Sequence, residues 1–226
     1  MIPSAVLLDI EGTTTPISFV YDVLFPFARK RLPEYLRAQA DEADLAQLRA
    51  EYAEEVAPPS PASDLTSYAL WLMDQDRKST GLKSIQGKIW EQGYRDSALH
   101  SEVFPDVALA LTRWKETGKK IAIFSSGSVL AQKLLFAHSN KGDLTSFIDS
   151  YFDTTTGPKK KPESYSRIAS TMRLTPAEVL FISDVTSELD AAAAAGMRTL
   201  LCVRPGNHPQ TNDQKHRIIQ SFDEIV

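Results

Sequence analysis

Asp9 and Glu11 stand two residues apart where an apolar run, Ala5 to Ile10 (AVLLDI), gives way to Gly12 and the threonines Thr13 to Thr15. If the backbone turns at Gly12, both carboxylates can face one crevice. Such a pair can divide the work of phosphoryl transfer, one attacking phosphorus while the other protonates the leaving oxygen and later activates water. A solvated strand-end loop or a helix N-cap accounts for the same two residues, so the pair alone does not decide. Asp184 follows another apolar run, Val179 to Ile182 (VLFI). It would meet a second requirement, because an anionic nucleophile approaching a phosphoryl group needs a cation, and Mg²⁺ takes oxygen ligands. Asp9 and Asp184 suffice for a hard ion that keeps several waters; alternatively Asp184 caps the helix over Ser187–Ala195. Ser125, Ser126 and Gly127 end the run Lys120 to Phe124 (KIAIF) and open a helix from Ser128. Hydroxyls, N–H groups and a positive dipole end there form a cradle for phosphate, although N-capping alone explains one serine. Lys159, in the loop Gly157 to Lys161 (GPKKK), could pair with a phosphate oxygen or with Asp9; a solvated basic loop is the other reading.

These residues need a scaffold that brings them together. Four short apolar runs, Ala5–Ile10, Lys120–Phe124, Val179–Ile182 and Thr199–Val203, end in polar residues and read as strands buried on both faces. Helical patterns lie between them: Val107, Leu111 and Trp114 share a face before Gly118, and Glu188–Ala195 is Ala-rich and stops at Gly196. Alternating strand and helix predicts an α/β fold, a Rossmann-like parallel sheet whose ligand crevice lies at the strands' carboxyl ends. From about Val20 to His100 the strand signals stop. Val20, Val23, Leu24 and Phe27 recur at helical spacing, as do Leu65, Tyr68, Ala69, Leu72 and Met73 after the N-cap Asp64, with the turn-rich connector Ala57–Ser63 between. The expected organisation is a core of residues 1–18 and 102–226 with an inserted helical cap over 19–101, hinged near Thr14–Ser18 and Ser101–Pro105.

Composition narrows the partners. The formal charge of −4 and pI near 5.6 supply no broad cationic field for nucleic acid or an anionic membrane. A small phosphorylated metabolite, handled by local groups, is the expected partner, and a monomer the expected state. Cys202 is the single cysteine, so no intrachain disulfide or thiolate metal cage can form; it reads as a small buried hydrophobe. With no basic leader and no apolar run of about 18 residues, a cytoplasmic protein without a targeting segment is expected. The chain lacks GxxxxGK[ST], GxGxxG after a strand, and GxSxG, and its four histidines lack zinc spacing.

The order strand-end Asp, strand-end Ser, loop Lys, strand-end Asp resembles the four motifs of haloacid dehalogenase (HAD) superfamily phosphatases, and the helical insert resembles their type-1 cap. Within that superfamily LLDIEGTTTPISFVYDVLFPF, LKSIQGKIWEQGY, SSGSVLAQKLLF, FDTTTG and FISDVTSELDAA resemble the enolase-phosphatases of methionine salvage, the acireductone synthases, from residue 6 to about 206. Most of the superfamily has aspartate where this chain has Glu11; the acireductone synthases share the glutamate. The resemblance implies Asp9 and Glu11 as catalytic residues, one Mg²⁺ per subunit at Asp9, Glu11 and Asp184, and substrate binding by Ser125, Ser126 and Lys159. Lys161-Pro162 mimics the Lys-Pro of other members, but TGPK aligns without a gap, which selects Lys159. The implied reaction converts 2,3-diketo-5-methylthiopentyl-1-phosphate to acireductone (1,2-dihydroxy-3-keto-5-methylthiopentene) and phosphate, by enolisation and then hydrolysis through an aspartyl-phosphate. The alternatives are another Mg²⁺-dependent small-metabolite phosphatase of this superfamily, a metal-free haloacid dehalogenase, or a non-catalytic binding module. The retained Asp184 and Thr13–Thr15 hydroxyls disfavour the dehalogenase, and the presence of Asp9, Glu11, the lysine and Asp184 disfavours the binding module.

Overall fold

Short aliphatic runs with no polar face need cover on both sides, and a parallel sheet flanked by helices supplies it. The computed structural model describes residues 3–57, 61, 64–77, 79–211 and 215–225. The chain divides into two compact units, Met1–Val20 with His100–Val226, and Tyr21–Leu99. In the first unit, β1 (Ala5–Leu8), β2 (Lys120–Phe124), β3 (Ser150–Phe152), β4 (Val179–Ser183), β5 (Arg198–Cys202) and β6 (Arg217–Ile219) form one sheet. Every neighbouring pair is parallel, in the order β3-β2-β1-β4-β5-β6. The order runs outward in opposite directions from β1 and β4. Their carboxyl ends therefore flank the point where successive crossovers diverge and leave a crevice.

The second unit is helical: α1 (Phe25–Ala38), α2 (Glu42–Ala53), α3 (Leu65–Asp74) and α4 (Thr80–Arg95). Three of these helix starts follow the polar residues before them, since Asp41, Asp64 and Ser79 each accept an N–H bond at the N-cap of α2, α3 and α4. Leu32, Leu48, Tyr68, Leu72, Ile85 and Ile89 make its core. Of the connector Ala57–Ser63, residues 58–60 and 62–63 lie outside the described residues. The chain enters this unit through a π-helical segment, Phe19–Leu24. That wider winding breaks the expected stripe: Val20 and Leu24 are buried, but Val23 is 41% exposed. At the other boundary Ser101 bonds to the main chain of His138 and Asn140 and so belongs to the sheet unit.

Four helices complete the first unit: α5 (Val107–Glu116), α6 (Val129–Ala137), α7 (Pro162–Thr171) and α8 (Thr186–Ala194). Because strand side chains alternate, Ala5, Leu7, Ala122, Phe124, Val179 and Phe181 share one face. They pack there with Tyr165, Ile168 and Ala169 of α7 and Leu189 and Ala192 of α8. All four residues of β1 are fully buried. Each large aliphatic or aromatic side chain placed there contributes about 1.5–3 kcal/mol relative to exposure. The structure adds two strands, β3 and β6, whose three residues each are too short to give a sequence signal. It also ends β1 at Leu8, so that Asp9 stands just past the strand; its N–H still donates to Ile182 O at 3.0 Å. His216 is buried, its ring bonded to Thr199 and Asp190.

Candidate active site

The ends of β1 and β4 deliver Asp9 and the pair Ser183-Asp184 to the same crevice, and all three are buried. Asp9 Oδ1 accepts from its neighbour's N–H, Ile10, at 2.8 Å and from Lys159 Nζ at 2.6 Å. The Ser183 hydroxyl lies 3.0 Å from Asp9 Oδ2 and 3.2 Å from Glu188 Oε2, with one proton to give between them. Lys159 Nζ also lies 2.7 Å from Glu188 Oε2, so one ammonium serves two carboxylates. Its loop is held by α7, where Tyr165 donates its hydroxyl to Lys159 O at 2.7 Å. Lys160 and Lys161 are exposed; Lys161 is the N-cap of α7, which starts at Pro162 because proline needs no N–H partner there.

Glu11 is carried past the strand by a tight turn at Gly12, whose φ of +72° suits glycine. A side chain at Gly12 would be driven into the Asp184 carboxylate. The Glu11 carboxylate meets Ser125 Oγ at 3.5 Å, and Ser125 is buried at the end of β2. Gly127 N–H donates to Ser125 Oγ at 3.1 Å, while the N-cap of α6 is Ser128. Capping therefore does not occupy Ser125, and Ser126, next in the chain, is half-buried. Asp184 is likewise no helix cap: the N-cap of α8 is Val185, with no side-chain cap bond. The structure thus gathers Asp9, Glu11, Ser125, Lys159 and Asp184 at the carboxyl end of the sheet.

Two further residues escaped the sequence reading. Glu188 lies inside the Ala-rich helix α8 and reads there as an ordinary helix former; only the fold turns it toward Lys159. Arg204, the residue after the run Thr199–Val203, is buried in an ion pair with Asp106 at 2.9 Å. It donates through Nε to Thr13 O at 3.3 Å and through Nη1 to Gln220 O at 2.9 Å, tying the Glu11 turn to the chain's last strand. Its guanidinium lies 4.5 Å from the ring centre of Phe104 and 4.8 Å from that of Phe222.

Charge is unbalanced at the crevice. Burial first, and then the charges of Asp9 and Glu188, push the Asp184 carboxyl up to about 8. Burial and Asp9 likewise push Glu188 up to about 7, and the same two causes raise Glu11. Burial alone would lower Lys159, but Asp9, Glu188 and Glu11 outweigh it and hold the ammonium protonated. Asp9, Glu11, Asp184 and Glu188 therefore face a single lysine, and a further cation fits the deficit. Among the described residues no three His, Cys, Asp or Glu side chains form a metal cage. Mg²⁺ does not require one, since it binds through one or two carboxylates, waters and substrate phosphate, and the donors at Asp9 and Asp184 are all oxygen.

A parallel sheet in this order, with a buried Asp–Lys pair at its switch point and an Asp at the next strand end, defines a class. The chain belongs to the haloacid dehalogenase-like hydrolases, whose family model matches residues 3–196. Within that class it is 51% identical to the enolase-phosphatase E1 of Synechococcus elongatus, covering 98% of this chain and 97% of that one. It is 48% identical to the enolase-phosphatase E1 of Sorangium cellulosum over 98% and 97% of the two chains. The crystal structure of the UTR4 protein of Saccharomyces cerevisiae superposes with a TM-score of 0.83 at 35% identity, covering 99% of this chain and 100% of that one. No described helix is long and apolar enough to cross a membrane.

Proposed function

We propose that the chain is an enolase-phosphatase of methionine salvage, converting 2,3-diketo-5-methylthiopentyl-1-phosphate to acireductone and phosphate. The observation that carries the phosphatase half is the buried contact of Lys159 with Asp9 at the switch point of the sheet. The particular substrate rests on the likeness to enolase-phosphatases E1 over nearly the whole chain.

In this reading Asp9 attacks phosphorus, forming an aspartyl-phosphate as the bond to the leaving oxygen breaks. Glu11, two residues on and beside Ser125, gives the leaving oxygen its proton and then takes one from the attacking water. Ser125, Ser126 and the N–H groups opening α6 hold the phosphate oxygens, and Lys159 offsets their charge. Glu188 and Ser183 hold Lys159 and Asp9 in register. One Mg²⁺ per subunit, held at Asp9, Glu11 and Asp184, would offset the charge of nucleophile and phosphate and polarise a substrate carbonyl for enolisation. Tyr21–Leu99 is the cap, the protein acts as a monomer on a small metabolite, and a reducing cytoplasm suits its single buried cysteine.

The test follows phosphate release and enol absorbance from the diketo phosphate with and without Mg²⁺, beside a panel of other phosphorylated metabolites. The expected result is Mg²⁺-dependent release of phosphate, preceded by the absorbance of the enol. Hydrolysis of the panel without turnover of the diketo phosphate would leave a different small-metabolite phosphatase.

A further inference from the structure

The turn after β5 reaches back to the turn that carries Glu11. Asn207 N–H bonds to Arg204 O at 3.1 Å, which closes this second turn. From it Asn207 Nδ2 donates to Gly12 O at 2.9 Å and to Cys202 O at 3.3 Å. Both partners are carbonyl oxygens, which only accept, so the amide has one orientation: nitrogen toward them, oxygen away. Asn207 Oδ1 is consequently aimed elsewhere, and it is buried without a hydrogen-bond partner.

What it faces is specific. A Cβ built on Gly12 would collide with Asp184 Oδ2 and meet Asn207 Oδ1 at 2.9 Å, so both oxygens flank the same α-carbon. Asn207 Oδ1, which has no donor, is thus brought beside an oxygen of the Asp184 carboxylate. A hydrated cation fits this pair of oxygens, because a carboxylate oxygen is a ligand for it and its water supplies the O–H that Oδ1 lacks.

We infer that Asn207 is a positioning residue for the divalent ion: Oδ1 accepts from a water of the ion's hydration shell, while Nδ2 holds the Gly12 turn beside Asp184. The inference rests on the Mg²⁺-dependent reading above. Outer-shell partners of this kind change metal affinity about 10- to 100-fold.

The test is calorimetric titration of Mg²⁺ into the full-length protein without substrate, with Mn²⁺ binding followed by electron paramagnetic resonance as a second readout. Asn207→Ala should weaken the ion at least about 10-fold, whereas Asn207→Asp, which keeps an acceptor oxygen, should stay within about threefold of the parent. If Asn207→Ala does not fold, Asn207→Leu keeps the volume and carries the same expectation. An alanine variant within twofold of the parent overturns the inference, as does equal weakening by Ala and Asp, which would leave only the grip on Gly12. A parent protein that binds no Mg²⁺ would overturn the metal reading itself, a result distinct from either.

Discussion

Lys159 Nζ meets Asp9 Oδ1 at 2.6 Å across 150 residues of chain, and both side chains are buried. The same ammonium meets Glu188 at 2.7 Å, so the position of Asp9 depends on a cation it shares with a helix residue. Nothing else at the crevice among the described residues opposes the charge of its carboxylates at such short range.

Replacing Lys159 should therefore damage the protein twice. Lys159→Ala is expected to lower kcat/KM by at least about 100-fold and to destabilise the fold by about 3–5 kcal/mol, because the buried carboxylates of Asp9 and Glu188 lose the ammonium they share. Lys160→Ala and Lys161→Ala, on exposed side chains, should stay within about 0.5 kcal/mol and near parental activity. Steady-state kinetics and urea unfolding on the three variants decide it. A severe Lys161→Ala defect beside a mild Lys159→Ala one would mean that the wrong lysine has been assigned.

Asp9→Asn should abolish phosphate release while leaving the fold intact, since an amide cannot attack phosphorus and the volume is nearly unchanged. Removing one negative charge from an overcharged crevice should also raise the melting temperature in EDTA. More than about a hundredth of parental turnover would exclude Asp9 as nucleophile. The variant need not lose enolisation, so enol absorbance without phosphate release on Asp9→Asn would separate the two half-reactions.

Chelation should stop turnover and added Mg²⁺ restore it, and Asp184→Ala should raise the Mg²⁺ concentration giving half-maximal rate by about 10-fold or more. The measurement is initial rate against free Mg²⁺ for parent and variant. Full activity in excess EDTA would return the haloacid dehalogenase alternative.

The Asp106–Arg204 pair makes a prediction about pH. Burial works against the charged Asp106 carboxyl, but Arg204 and the Phe222 N–H outweigh it and hold it below its ordinary value of 3.8. A depressed carboxyl contributes stability that is present above its unfolded pKa and lost as pH falls through the lower folded value. Asp106→Asn should thus melt well below the parent near about pH 6, and the gap should close as pH drops below about 3.8. Melting curves across that range test it; a gap constant down to pH 3 would show that the pair's charge is not what stabilises the turn at Thr13.

The residues that stand at strand ends were legible in the sequence, because a strand buried on both faces must be apolar until it leaves the sheet. Asp9, Ser125 and Asp184 interrupt such runs and could be placed at one crevice by the rule that parallel strands open at their carboxyl ends. The helical insert was legible for a related reason, since a 3.6-residue stripe over Leu65–Met73 cannot bury as a strand. Tertiary structure alone decided the rest. Three consecutive lysines look alike in a chain, and only the path of the loop onto α7, with Tyr165 holding the Lys159 carbonyl, buries one and leaves two in water. Glu188 belongs to an unremarkable helical pattern until α8 packs on the sheet. Asn207 and Arg204 act through contacts with main-chain carbonyls nearly 200 residues away, 195 for Asn207 with Gly12 and 191 for Arg204 with Thr13. Local pattern reports what a residue's neighbours in the chain require; it carries no information about a backbone carbonyl, which every residue has, until the fold brings one within reach.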